Sequence, residues 1–224
     1  LLNFLRFLSK RTIFNFNRPN NMEIKNLFCS YFAYIDFAEL KRGIYKSDYW
    51  DNLLEKKIIK NSHFLHIFFP SKKISYKDSI KAIKEVNKNS NNFNFFIEEF
   101  FSIKIFFKVM KYWIINNIKY YKYKKIIFDN FFQNDITFQP LLEEDFIQDI
   151  CGTKSLINFY YYFLFEELSS KINKIDKTFF LYENQGWEKS FVYNLKNIEN
   201  NKIIGFQHST VRFWDLRYNI NTDQ

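Results

Sequence analysis

The feature that most constrains the fold lies between residues 178 and 206. Thr178–Tyr182 (TFFLY) has the makeup of a strand, Trp187–Leu195 that of an amphipathic helix, and Lys202–Phe206 (KIIGF) that of a second strand. Strands joined through a helix form a right-handed parallel crossover. The chain is therefore expected to fold as an α/β domain, a Rossmann-like parallel sheet flanked by helices. Each strand ends in polar residues, Glu183–Asn184–Gln185 and Gln207–His208–Ser209. In parallel sheets ligand sites collect outside the carboxyl ends of the strands. One crevice is thus expected to receive Glu183, Gln185, His208 and Ser209. Gly186 reads as the turn into the helix, and Gly205 as a point of close backbone approach.

The 224-residue sequence supports one domain and is too short for two well-developed ones. Residues 9–26 are polar and Asn-rich around Pro19, so 1–26 read as a lead-in or linker and 27–224 as the domain. Leu27–Ile35 (LFCSYFAYI) is an apolar run of strand length ending at Asp36, and a second run, Phe64–Phe69, stops at Pro70. Phe37–Leu54 is predicted to be helical with an interruption at Gly43. Ile80, Ile83 and Val86 recur at helical spacing between Ser75 and Lys88. A long helix is predicted from Phe95 to Lys125, an irregular stretch over Ile126–Phe146 with Pro140 in it, and a helix from Thr153 or Ser155 to about Lys171.

Composition bears on partners and compartment. The chain has 27 Lys but 6 Arg, with 28 Ile, 26 Asn, 30 Phe and 15 Tyr. These residues have AT-rich codons, so the net charge of +9 is discounted as a sign of nucleic-acid binding, and no nucleic-acid partner is expected. Gly, Trp and Arg, which such a bias depletes, concentrate between Gly186 and Arg217, and function is expected there. Cys29 and Cys151 stand alone beside only three histidines, which points to a reducing compartment and no structural metal. The uncharged run Ser155–Phe165 falls short of the roughly 20 residues that span a bilayer, and no export signal is recognised. A cytoplasmic location is expected. Lys104, Lys108, Lys111, Lys119 and Lys122 form one stripe at 100° per residue, with Phe and Ile opposite. That stripe is either a solvated face or a basic amphipathic helix resting peripherally on anionic lipid.

The richest motif is Ser209–Tyr218, STVRFWDLRY. Arg212 and Arg217 are fork-shaped donors suited to phosphate or carboxylate. Phe213 and Trp214 offer faces on which a sugar or base can stack. Plainer roles stand beside these. A glutamate after a strand is commonly a helix N-terminal acid, a loop histidine a structural donor, and Arg212–Asp215–Arg217 an internal ion pair bracing a loop.

LYENQGWEKSF (181–191) followed by GFQHSTVRFWDLRY (205–218) resembles the bacterial surface carbohydrate biosynthesis family, whose members carry a Tyr-Leu-x-Glu-Asn-Gln-x-Trp-Glu block. Weaker similarity runs through SYFAYIDF (30–37), SHFLHIFF (62–69) and the helix at 94–115. The stretch at 126–140 has no counterpart, and the chain departs from the pattern after Tyr218. The resemblance implies the amino-terminal, acceptor-handling half of a GT-B glycosyltransferase. A sugar-nucleotide half would follow Gln224, and the absent initiator Met agrees with a fragment. The implied function is glycosyl transfer from a sugar nucleotide to a glycan or polyprenyl-linked acceptor in capsule or lipopolysaccharide assembly. The alternative is a non-enzymatic glycan- or membrane-binding module of the same machinery. Glu183 and His208 are the expected catalytic pair. Gln185, Trp187, Gln207, Ser209, Arg212, Trp214, Asp215 and Arg217 are the expected substrate contacts. With no Asp-x-Asp in the chain, neither metal nor cofactor is implied.

Overall fold

The computed structural model describes residues 1–11, 22–50, 62–70, 74–90, 92–131, 139–183 and 185–207. In chain order the elements are helix α1 (Leu2–Ser9), strand β1 (Met22–Tyr31), α2 (Phe37–Lys41), β2 (His63–Ile67), α3 (Tyr76–Asn89) and β3 (Phe93–Phe96). A 3-10 turn (Ile97–Phe100) leads into α4 (Ile103–Phe131), α5 (Gln139–Ile150), α6 (Thr153–Ser169), β4 (Ile172–Leu181), α7 (Gly186–Leu195) and β5 (Lys202–Phe206). The five strands form one parallel sheet in the order β3-β2-β1-β4-β5. This is a Rossmann-like α/β fold, with the strand order reversing between β1 and β4.

Both faces of the sheet are covered. One packs Leu27, Cys29, Leu65 and Ile175 against α1, α4, α6 and α7, through Phe4, Val109, Leu164 and Phe191. The other is closed by α3, through Ile80, Ile83 and Val86, and by the chain around Trp50. The abundance of phenylalanine has a local use here. Phe28 is in register with Phe64 and Phe179, and its ring stacks on theirs at centroid distances of 5.3 and 4.7 Å. Trp50 meets Phe28 edge-on at 5.2 Å and donates its indole N–H to Ser30 Oγ at 3.1 Å. These cross-strand ring pairs add packing to the burial itself.

The boundaries differ from the sequence reading at several places, each for a local reason. β1 begins at Met22, so residues 22–26 of the expected loop are strand, and it ends at Tyr31, leaving Phe32–Ile35 as a loop. Of the helix expected over Phe37–Leu54, residues 51–54 lie outside the described residues, and those up to Trp50 hold a five-residue helix, Phe37–Lys41. Asp36 caps its start, accepting from the N–H of Ala38 and Glu39 at 2.9 and 3.2 Å, and Gly43 follows its end in a left-handed conformation with φ +77°. Phe95 and Phe96, expected to open the long helix, belong with Phe93 and Asn94 to β3, which pairs with β2. The stretch expected to be irregular, Ile126–Phe146, is helical at both ends, with α4 running to Phe131 and α5 starting at Gln139; Pro140 is tolerated in the first turn of α5, where no backbone donor is required.

Gly186 does not need a left-handed conformation. A Cβ there would lie 2.5 Å from Asn158 Oδ1, so its bareness allows α7 to pack against α6. Gly205 fits its reading, since a Cβ would lie 3.1 Å from the Phe180 ring. Asp36→Ala is expected to cost about 1 kcal/mol, read as a lower urea midpoint with an unchanged slope.

Candidate functional site

The carboxyl ends of β1, β2 and β4 surround a cavity of about 540 Å³ lined by Tyr31, Tyr34, Tyr49, Phe69, Glu183 and Gln185, with Phe32–Ile35 and Phe37 completing its wall. β1 and β4 are the neighbours between which the strand order reverses, the place where α/β sheets open a crevice. The polar ends of the sequence motif and the aromatic loop after β1 meet there because β1 and β4 pair, although they lie far apart in the chain.

Each wall has a physical cause. Tyr31, the last residue of β1, is wedged edge-on between Phe69 and Trp187 at 5.8 and 5.7 Å. Tyr34 has φ +52°, a conformation uncommon for a bulky side chain. It is held there by Asp48, whose N–H donates to the Tyr34 carbonyl at 3.1 Å, and by the edge of Tyr49 at 5.2 Å. Its ring is left 66 % exposed at the rim. Strain retained at the mouth of a cavity is a recurrent mark of a binding site.

Glu183 is half-buried where the chain leaves β4. Its N–H donates to Glu188 Oε1 at 3.0 Å, so the buried Glu188 carboxylate ties the β4 exit to the first turn of α7. An acid in that turn also meets the positive end of the helix dipole. Burial pushes the Tyr31 phenol up to about 12, and the Glu183 carboxylate beside it contributes to the rise. Burial raises the Tyr49 phenol as well, again with Glu183 as a neighbouring cause. Both phenols therefore remain protonated donors near neutral pH, close to one carboxylate. The cavity can stack a ring against aromatic faces, donate hydrogen bonds from phenols, and accept a proton at Glu183.

Of the residues expected from sequence, Glu183 and Gln185 line the cavity together. Gln207 is exposed beyond β5, the neighbour of β4. Trp187 does not reach the cavity. It is buried against Tyr31, Phe165 and Phe191, because its position on α7 turns it towards the core, and it supports the site from behind. His208, Ser209, Arg212, Trp214, Asp215 and Arg217 lie outside the described residues. The tyrosines of the loop after β1 and the bracing Glu188 were not singled out by sequence. Another unanticipated residue is Glu98, fully buried beyond β3, which accepts from the Phe68 N–H at 3.0 Å and lies near Arg11 and the Tyr161 hydroxyl.

The fold and the crevice define a Rossmann-like domain with an aromatic, carboxylate-bearing site at its strand-order reversal. No family model, curated protein or solved structure matches the chain.

Proposed function

We propose that the protein takes part in glycosyl transfer during assembly of a surface polysaccharide, with the glycan or polyprenyl-linked acceptor in the crevice after β1 and β4. The observation that carries this reading is the Glu183 carboxylate inside a cavity walled by Tyr31, Tyr34 and Tyr49. Aromatic walls suit the C–H faces of a sugar ring, and protonated phenols suit its hydroxyls. In the reaction an acceptor hydroxyl oxygen bonds to the anomeric carbon of the donor sugar, and the bond from that carbon to the nucleotide diphosphate breaks. The hydroxyl proton passes to Glu183 as its oxygen attacks. His208 is the second candidate for this proton, and Arg212 and Arg217 for contacts to phosphate or acidic sugars. The reading places the protein on the cytoplasmic side of the membrane, where it meets a sugar-nucleotide donor.

Complementation tests the proposal. Cells lacking the protein receive the wild-type gene or its Glu183→Gln version, and surface glycan is measured at matched protein levels. Restoration by wild type alone is the expected result, and equal restoration by both overturns the assignment.

The strained rim gives a separate prediction. Tyr34→Gly suits φ +52° and removes one ring. The melting temperature is expected to hold or rise slightly. Affinity for oligosaccharides from the cell's own glycan, measured by titration, should fall about three- to tenfold, the worth of one aromatic contact.

A further inference from the structure

The outward face of α4 is apolar. Ile105, Val109 and Tyr120 are buried against the rest of the fold, fixing which side of the helix faces inward. On the other side Ile103, Phe107, Ile114, Ile118 and Tyr121 are exposed by 61, 64, 48, 63 and 69 %. At 100° per residue these five fall within a strip roughly 60° wide along most of the helix. The sequence reading set the apolar residues opposite the lysines. The structure instead divides them between the core and this exposed strip, which runs alongside Lys104, Lys111, Lys119 and Lys122.

From residue 103 to 128 the charge on this face has one sign, and the acid Asp129 follows only in the last turn. Residues 103–128 contain no Asp or Glu and seven Lys. Lys108 pairs with Glu166 and Lys124 with Glu143. Lys104, Lys111, Lys119, Lys122 and Lys125 are exposed and form no salt bridge among the described residues. Among the described residues no helix is long and apolar enough to cross a membrane.

We infer that this face of α4 docks on an anionic lipid bilayer, lying in the plane of the surface. The apolar strip enters the boundary between headgroups and acyl chains. The lysines along its flank extend their stems over that strip and hold their ammonium groups among lipid phosphates. Charge complementarity selects this occupant. A second copy of the face would bring its lysines against those of the first, and an uncharged bilayer would leave them without counter-charges. The inference does not depend on the glycosyl-transfer reading, because it rests on α4 alone.

Flotation of the full protein with phosphatidylcholine vesicles, with and without phosphatidylglycerol, tests it. Binding is expected only to the anionic vesicles and is expected to be lost at high salt. Each lysine near such a surface contributes roughly fivefold in affinity. The combined change of Lys104, Lys111, Lys119 and Lys122 to Gln should therefore lower binding at least tenfold. Phe107→Ser with Ile118→Ser should lower it similarly, with an unchanged melting temperature because both side chains are exposed. Failure of wild type to float with anionic vesicles, or undiminished flotation of the lysine variant, overturns the inference. So does a concentration-dependent dimer in sedimentation that the Phe107 and Ile118 changes abolish, since a second copy would then cover the face.

Discussion

Glu183→Gln is expected to slow transfer by about 10²–10⁴-fold while leaving the fold intact, the range a positioned general base contributes. Glutamine keeps the shape of the side chain and its ability to contact a hydroxyl, yet it cannot take up a proton. The loss should therefore fall on kcat and spare KM, as when an interaction acts in the transition state alone. Nothing structural is expected to follow. The bond tying this turn to Glu188 comes from the Glu183 backbone N–H, which the substitution leaves in place, and the side chain is only half-buried. A half-exposed, near-isosteric change away from the core costs within about 0.5 kcal/mol. Steady-state kinetics with purified donor and acceptor, beside a thermal melt, separate the two effects. Unchanged kcat removes Glu183 from the chemistry. A collapsed melt would instead make the residue structural.

That prediction depends on geometry the sequence conveys only in part. The crossover of β4, α7 and β5 was legible because its strands and helix differ in period, and Gly205 read as a close approach because it interrupts an apolar strand, where the Phe180 ring indeed leaves a Cβ little space. With the crossover came the parallel sheet, and with the sheet the expectation that Glu183 and Gln185 share a crevice. The crevice's other wall was not legible. Tyr31, Tyr34 and Tyr49 belong to a chain with 15 Tyr and 30 Phe, where a local run of rings carries little information. They become a site only because β1 pairs with β4, a long-range fact that no local pattern records. β3 was hidden for a related reason: FNFF is four residues long and runs directly into a turn and a helix, so its apolar residues merge with the helical pattern. Trp187 shows the opposite error. A tryptophan in a motif-rich segment invites a ligand-stacking role, yet the face of α7 that carries it points into the core.

Two buried groups are expected to give this protein opposing pH dependences that nearly cancel. His66 is fully buried among Phe32, Tyr45 and Phe96, with Nε2 3.1 Å from Asn94 Oδ1, and burial lowers it from 6.5 to about 4. As pH falls below 6.5 the unfolded chain takes up a proton that the folded chain refuses, so stability is lost from 6.5 down to 4. Glu98 behaves in reverse. Burial raises it from 4.5 to about 7, against the pull of Arg11 and the Phe68 N–H, with Glu99 adding to the rise. As pH rises past 4.5 the unfolded chain gives up a proton that the folded chain keeps, so stability is lost from 4.5 up to 7. Each gap spans about 2.5 pH units, worth on the order of 3 kcal/mol, and the two slopes offset each other between 4.5 and 6.5. Glu98→Gln removes one side of the balance, and stability should then climb by about 3 kcal/mol from pH 4 to 6.5. His66→Gln, which keeps a donor towards Asn94, removes the other, and stability should fall by a similar amount from pH 4.5 to 7. His63, lowered by partial burial, adds in the direction of His66 and is common to both variants. Urea midpoints at several pH values measure the slopes, and the remaining carboxylates contribute equally to every chain compared. Parallel curves for the two variants would show that the Glu98 carboxyl and the His66 ring titrate in the fold as they do in the unfolded chain.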